Sequence, residues 1–188
     1  MYRAVTLKVL RAGISPEDRG RIGKLLQSTR VELRRNEGGL AVLLDGEDVA
    51  GEIRSPDVTR AVSAVSSLHE VREAMVREQR RMGKEGGIVL EGRDIGTVVF
   101  PDADLKFFMI ASIGARAQRR LAELRAGGIE ADLATMRREI EERDRLDSTR
   151  TESPLRQAPD AIEVDTSSMT IPEQVEVIVQ RVQEKLGR

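Results

Sequence analysis

The spacing of apolar and polar positions changes several times along this chain, and each change marks a new element. Residues 1–12 carry Val5 and Val9 four apart, as on one face of a helix, and Gly13 ends the run. Ser15-Pro16-Glu17-Asp18 reads as a helix start, with a serine cap, proline at the first position and acids in the first turn; this helix is expected to reach Ser28. From Val31 the period becomes two. Val31 and Leu33 alternate with charged residues, the N-E-G-G at 36–39 predicts a turn, Leu40 to Leu44 a second strand, and Asp45-Gly46 a hairpin turn. Residues 29–54 therefore read as a small antiparallel meander. Ser55-Pro56-Asp57 begins another helix, and a longer one is expected from Leu68 to Met82. Ile88-Val89-Leu90 has the length and composition of a buried parallel strand, with Leu105–Ile110 and Ala161–Val164 as a second and a third. Two arginine-rich helices, 114–126 and 132–145, lie between those last two and are split by Gly127-Gly128. Ile171-Pro172-Glu173 opens an amphipathic helix carrying Val175, Ile178, Val179 and Val182. Strands alternating with helices predict an α/β fold with a parallel sheet, and three core strands make an incomplete one.

Composition narrows the chemistry. At 188 residues, with 39% hydrophobic and 34% charged residues, this is a globular profile large enough for a core. No apolar run approaches the roughly 18 residues that span a bilayer, and the first ten residues lack a signal-peptide layout, so a cytoplasmic protein with no membrane partner is expected. Cysteine is absent and His69 is the one histidine, which excludes thiolate metal sites and leaves little scope for an imidazole cluster. The net charge of −1 and the 2% aromatic content argue against nucleic acid as a partner. Arginine, however, far outnumbers lysine, and its planar fork suits a small polyanion.

The stretch Ile88 to Asp102, I-V-L-E-G-R-D-I-G-T-V-V-F-P-D, places glycines, Arg93 and Asp94 just past an expected strand. That is where ligands bind in open α/β sheets, although a tight turn with a solvated Arg–Asp pair fits the local pattern equally well. G-R-D-I-G-T-V-V-F-P-D-A-D-L-K-F-F, together with M-Y-R-A at 1–4, G-E-D-V-A-G-E-I-R at 46–54, V-R-E-A at 71–74 and E-R-D-R-L-D-S-T-R at 142–150, resembles the bacterial cytidylate kinases over essentially the whole chain. The resemblance implies a P-loop nucleoside monophosphate kinase-like parallel sheet with helices on both faces, N-terminally truncated, and a small antiparallel β insert. It also implies a core domain of residues 1–28 and 67–188, a lid from about 113 to 147, and a monophosphate-binding insert of 29–66. The implied reaction moves the γ-phosphoryl group of ATP to CMP or dCMP, with ATP and Mg2+ as cofactors, in a monomer.

By resemblance, Ser63, Arg72 and Asp94 contact the cytosine base. A carboxylate or hydroxyl suits the exocyclic amine, and an arginine fork suits N3 and O2. Arg143, Asp147 and Arg150 stand at i, i+4 and i+7, so a continuing helix would put them on one face with Leu133, Met136 and Ile140 leading into it. The resembling kinases use that stretch on the sugar and phosphates. Arg3 and Arg93 fall where the family holds the acceptor phosphate. Arg116, Arg119 and Arg120 fall on the lid helix, as catalytic candidates, and which of the three reaches the transferred group stays open.

The donor-phosphate motif of such kinases, G-x-x-x-x-G-K-[ST], does not occur in the sequence. By resemblance the chain is expected to begin about 35–40 residues late, as a βαβ unit's length also indicates, to lack kinase activity by itself and to fold poorly. A monophosphate kinase of other base preference, or a non-catalytic nucleotide-binding relic, are the alternatives.

Overall fold

The computed structural model describes residues 1–36 and 39–187. The chain is mixed α/β and divides into two compact units. The first comprises Met1–Leu90 with Arg150–Glu152, the second Glu91–Thr149 with Ser153–Arg188.

In the first unit, α1 (Tyr2–Arg11) presents Ala4, Val5, Leu7 and Val9 to the interior, and Gly13 at φ 60° turns the chain after it. The next helix, α2 (Arg19–Leu26), begins four residues later than the sequence signal at Ser15. Ser15 to Asp18 closes a turn instead, through Asp18 N–H to Ser15 O at 2.9 Å, and the Asp18 carboxylate caps Arg21 N–H at 3.0 Å. Both Ser15 and Asp18 are competent caps, and the turn hands the cap to the later one.

The expected meander is present: β1 (Val31–Asn36) pairs antiparallel with β2 (Gly39–Leu44) in the register Val31 to Leu44, and a short β3 (Glu47–Asp48) pairs with β2. Asp45 and Gly46, both at positive φ, make the turn between β2 and β3. The turn expected at 36–39 falls largely on Glu37 and Gly38, outside the described residues. Ser55 caps α3 (Pro56–Ser66) as its sequence predicts, and α4 (His69–Met82) follows. Side chains from α1, α2, β1, β2, α3 and α4 form one hydrophobic core around Val5, Val9, Ile22, Val58, Val65 and Val71, each at most 1% exposed.

Ile88-Val89-Leu90 departs from expectation. These residues form no strand, and Val89 is 98% exposed. A buried strand needs neighbours to take its backbone N–H and C=O groups, and none of the described strands pairs with this segment. The parallel sheet of the second unit accordingly has two strands rather than three: β4 (Phe107–Ile110) beside β5 (Ile162–Asp165), in register from Phe107 with Ile162 to Ile110 with Asp165. A π-helical turn over Ile95–Val99, unforeseen in the sequence, precedes β4. Helices α5 (Ile113–Ala126) and α6 (Leu133–Thr149) pack on each other, and α7 (Ile171–Leu186) opens with a complete capping box between Thr170 and Glu173.

Candidate functional site

In the second unit, the segment after Leu90 bends sharply at Gly92. A Cβ there would sit 2.9 Å from the Ile95 side chain, so glycine is what lets the turn close. The turn delivers Arg93 and Asp94. Asp94, 5% exposed, begins the π-helical turn, its carbonyl accepting from Val98 N–H at 2.9 Å.

Arg93 reaches α6. Its Nε stands 3.1 Å from Asp147 Oδ2, and Arg143 Nε stands 3.9 Å from the same oxygen. The pairing of Arg143 with Asp147 is the i, i+4 contact that the sequence predicts. Asp147 is 5% exposed, so two guanidinium groups converge on one buried carboxylate. Burial, and then the neighbouring charges of Arg93 and Arg120, push the Arg143 guanidinium below the usual arginine range, while Asp147 and Asp144 pull the other way. Arginine stays a cation all the same. The result is two guanidinium groups sharing one buried carboxylate, with a third, Arg120, close enough to act on Arg143. Arg150 does not continue this face: α6 ends at Thr149, and Arg150 belongs to the first unit. Of the apolar positions leading in, Met136 is buried, Ile140 half-buried, and Leu133 exposed.

The three arginines of α5 have separate surroundings. Arg116 grips Asp144 with both Nη atoms, at 2.9 and 2.7 Å, and its Nε donates to Ala111 O at 3.1 Å. Arg120 pairs with Glu123 at 3.0 Å on the exposed side. Arg119 donates to the carbonyls of Thr166 and Met169 beyond the end of β5. The helix itself starts on the Ser112 cap, just past the carboxyl end of β4.

In the first unit, Arg72 on α4 is 3% exposed, its Nη1 3.4 Å from Ser66 O and its Cζ 5.5 Å from the centre of the Tyr2 ring. That distance is a cation–π contact, which helps hold the guanidinium against the ring. Ser63, half-buried, lies one turn before Ser66 on α3. Arg3 Nη1 donates to Ile53 O at 2.8 Å and to Thr59 Oγ1 at 3.0 Å, tying α1 to the start of α3.

Sequence reasoning missed Tyr2, Asp144 and Thr166. Tyr2 looks like a core aromatic, and Asp144 lies 28 residues from the arginine it grips. Thr166 and Ser167, however, follow a strand end just as Arg93 and Asp94 follow an expected one, so the same signal marked them.

The cytidylate kinase family profile matches residues 1–184 of this chain. The cytidylate kinase of Geobacillus sp. (strain WCH70) is 46% identical over 187 residues, covering 100% of this chain and 84% of that protein. That of Pelotomaculum thermopropionicum is 51% identical over 183 residues, 97% of this chain and 81% of its own. The bifunctional pantoate ligase/cytidylate kinase of Synechococcus sp. (strain CC9902) is 48% identical over 189 residues, 39% of its length. With a match across nearly every residue, the chain belongs to the cytidylate kinases, a family of nucleotide-binding phosphotransferases.

Proposed function

We propose that the protein is of the kind that transfers the γ-phosphoryl group of ATP to CMP or dCMP, giving ADP and CDP or dCDP, and that this chain, which holds no G-x-x-x-x-G-K-[ST], lacks this activity by itself. The observation that carries this reading is the convergence of Arg93 and Arg143 on the buried carboxylate of Asp147, with Arg120 close enough to act on Arg143. A phosphate oxygen of the acceptor attacks the γ-phosphorus, and the bond from that phosphorus to the β-bridging oxygen breaks. Such a transfer needs alignment and charge neutralisation more than covalent help. Arg3 and Arg93 hold the acceptor phosphate, Arg143, Asp147 and Arg150 the sugar and phosphates, and the arginines of α5 neutralise charge as the lid of about residues 113–147 closes.

Ser63, Arg72 and Asp94 read the base. The cytosine amine donates to the carboxylate or hydroxyl, and the Arg72 fork donates to N3 and O2. Uracil, with N3–H and O4 in place of N3 and the amine, leaves those groups unpaired. The ring contact of Arg72 supports the assignment, since a fork selects a base edge only when it is held in place. Residues 29–66 form the monophosphate-binding insert, and the sheet and its helices follow the P-loop nucleoside monophosphate kinase plan.

Magnesium would enter with ATP, held mainly by the donor phosphates and water, and would neutralise phosphate charge there. No step here runs through it.

Asp94→Asn and Arg72→Ala, made in an upstream-extended form that carries a G-x-x-x-x-G-K-[ST] segment, test the reading. Each is expected to lower the CMP-over-UMP preference in kcat/KM by about 1–3 kcal/mol. An unchanged preference in both would overturn the base assignment.

A further inference from the structure

Arg116 and Arg120 lie within about 40° of each other around the axis of α5, one turn apart, whereas Arg119 is about 100° from Arg120. Its surroundings differ in kind. Its two Nη atoms meet three oxygens at the exit of β5: the carbonyl of Thr166, the carbonyl of Met169 at 3.2 Å and the Thr166 hydroxyl at 3.4 Å. Thr166 is 4% exposed, and its own N–H and hydroxyl both donate to Ile110 O, at 2.8 and 3.0 Å, at the last residue of β4.

A second relay runs beside the first. Ser112, the cap of α5, donates its N–H to Ser167 Oγ at 2.9 Å, and that hydroxyl donates to Asp165 Oδ1 at 2.6 Å. The first two turns of α5 are thus bound to the ends of both parallel strands. Among the described residues, the second half of the helix carries no such tie to the strand ends: Arg120 pairs locally with Glu123, and Gly127-Gly128 follows.

We infer that Arg119 is a positioning residue, which locks the root of α5 to the exits of β4 and β5 so that Arg116 and Arg120 are presented from a fixed base. Its Nη2 is committed to two neutral carbonyls and its Nη1 reaches the Thr166 hydroxyl, contacts that a merely phosphate-binding arginine would not need. The part of the lid free to swing is then the distal part, beyond Arg120. The inference rests on the phosphotransfer reading for its consequence to rate, but not for the tether itself.

Hydrogen exchange of the nucleotide-free protein separates the two roles, because a phosphate contact has nothing to act on there. Arg119→Ala is expected to raise exchange about tenfold or more in residues 112–118 and 166–169, as loss of charge-assisted hydrogen bonds frees both segments. Arg120→Ala is expected to leave exchange in those segments unchanged. Arg119→Lys, whose ammonium can still donate to the two carbonyls, should restore most of the protection. Should Arg119→Ala not fold, Arg119→Lys decides by itself, with protection near wild type required. Unchanged exchange in Arg119→Ala, or a fully deprotected but folded Arg119→Lys, would overturn the tether. In an upstream-extended form carrying a G-x-x-x-x-G-K-[ST] segment, Arg119→Lys should recover kcat for ATP and CMP in step with the protection, and a kcat that stays at the Arg119→Ala level despite restored protection would also overturn it. If that extended form with Arg119 intact makes no ADP from ATP and CMP, the phosphotransfer reading fails, while the exchange result still judges the tether.

Discussion

The two units are held together by different physics. The first is organised by burial: Val5, Val9, Ile22, Val58, Val65 and Val71 fill one core to which four helices and two strands contribute. The second buries few large apolar side chains, Val99, Met136 and Val164 among them, and α7 has no buried residue at all across its 16. Ile171, Val175 and Val179 repeat every fourth position on that helix and are 76%, 54% and 40% exposed. What ties the second unit internally is polar: Arg93 to Asp147, Arg116 to Asp144, Lys106 to Asp160, and Arg119 to Thr166 and Met169. Apolar burial is non-directional and tolerant of rearrangement, whereas these ties are directional and need their partners in place. The residues proposed to act on phosphate are mostly in the second unit, where fewer large apolar side chains are buried.

Substitution in the two units should expose that contrast most clearly. Ile22→Ala empties a site that is 1% exposed and is expected to cost about 2–5 kcal/mol. Val179→Ala on α7 should stay within about 0.5 kcal/mol. Urea unfolding of both variants measures the difference, and a cost for Val179→Ala that rivals the first would mean the α7 stripe is covered in solution.

Next in size is the cluster on α6. Asp147→Ala leaves Arg93 and Arg143 facing each other without their shared carboxylate. The carboxylate is buried but both arginines are partly in water, so screening trims the cost to about 1–2 kcal/mol. If Asp147 also contacts the sugar, the same variant in the upstream-extended form changes the ratio of CMP to dCMP turnover. An equal loss on both nucleotides would confine Asp147 to holding the arginines.

How far all this was legible in the sequence depended on the range of the interaction. The meander, the Ser55 cap, α4 and the Arg143–Asp147 pair are decided within a few residues, and the chain spells them out. The Ile88-Val89-Leu90 strand failed because an apolar run records a preference for burial, whereas a strand forms only where neighbours accept its hydrogen bonds. Arg150 dropped off the expected face because the helix stops one residue before it. Arg119 was indistinguishable from Arg116 and Arg120 in sequence, since its partners, Thr166 and Met169, lie 47 and 50 residues away. Family resemblance could not tell the three arginines apart either.

The smallest effect concerns acid, at the relay joining Ser112, Ser167 and Asp165. The Ser167 hydroxyl, and then its backbone N–H, hold the Asp165 carboxyl below its ordinary value of 3.8. A carboxyl depressed in the folded state contributes stability that is present above its unfolded value and is lost as pH falls through the folded one. The relay should therefore hold at neutral pH and loosen only below about pH 4. Asp165 is fully exposed, so global stability will barely register the change, and the readout must be local. Exchange at residues 112–118 should rise as pH drops below that point, after correction for the intrinsic pH dependence of exchange. Asp165→Ala should show the looser pattern already at pH 7 and no further step from this group. Acid sensitivity remaining in the variant at the start of α7 would come from Glu173, which the backbone N–H and then the hydroxyl of Thr170 hold down in the same way. The Ile22 core has no such carboxylate in it and should be indifferent to the Asp165 substitution. If Asp165→Ala matches wild type at pH 7 across 112–118, Arg119 alone carries the attachment of α5.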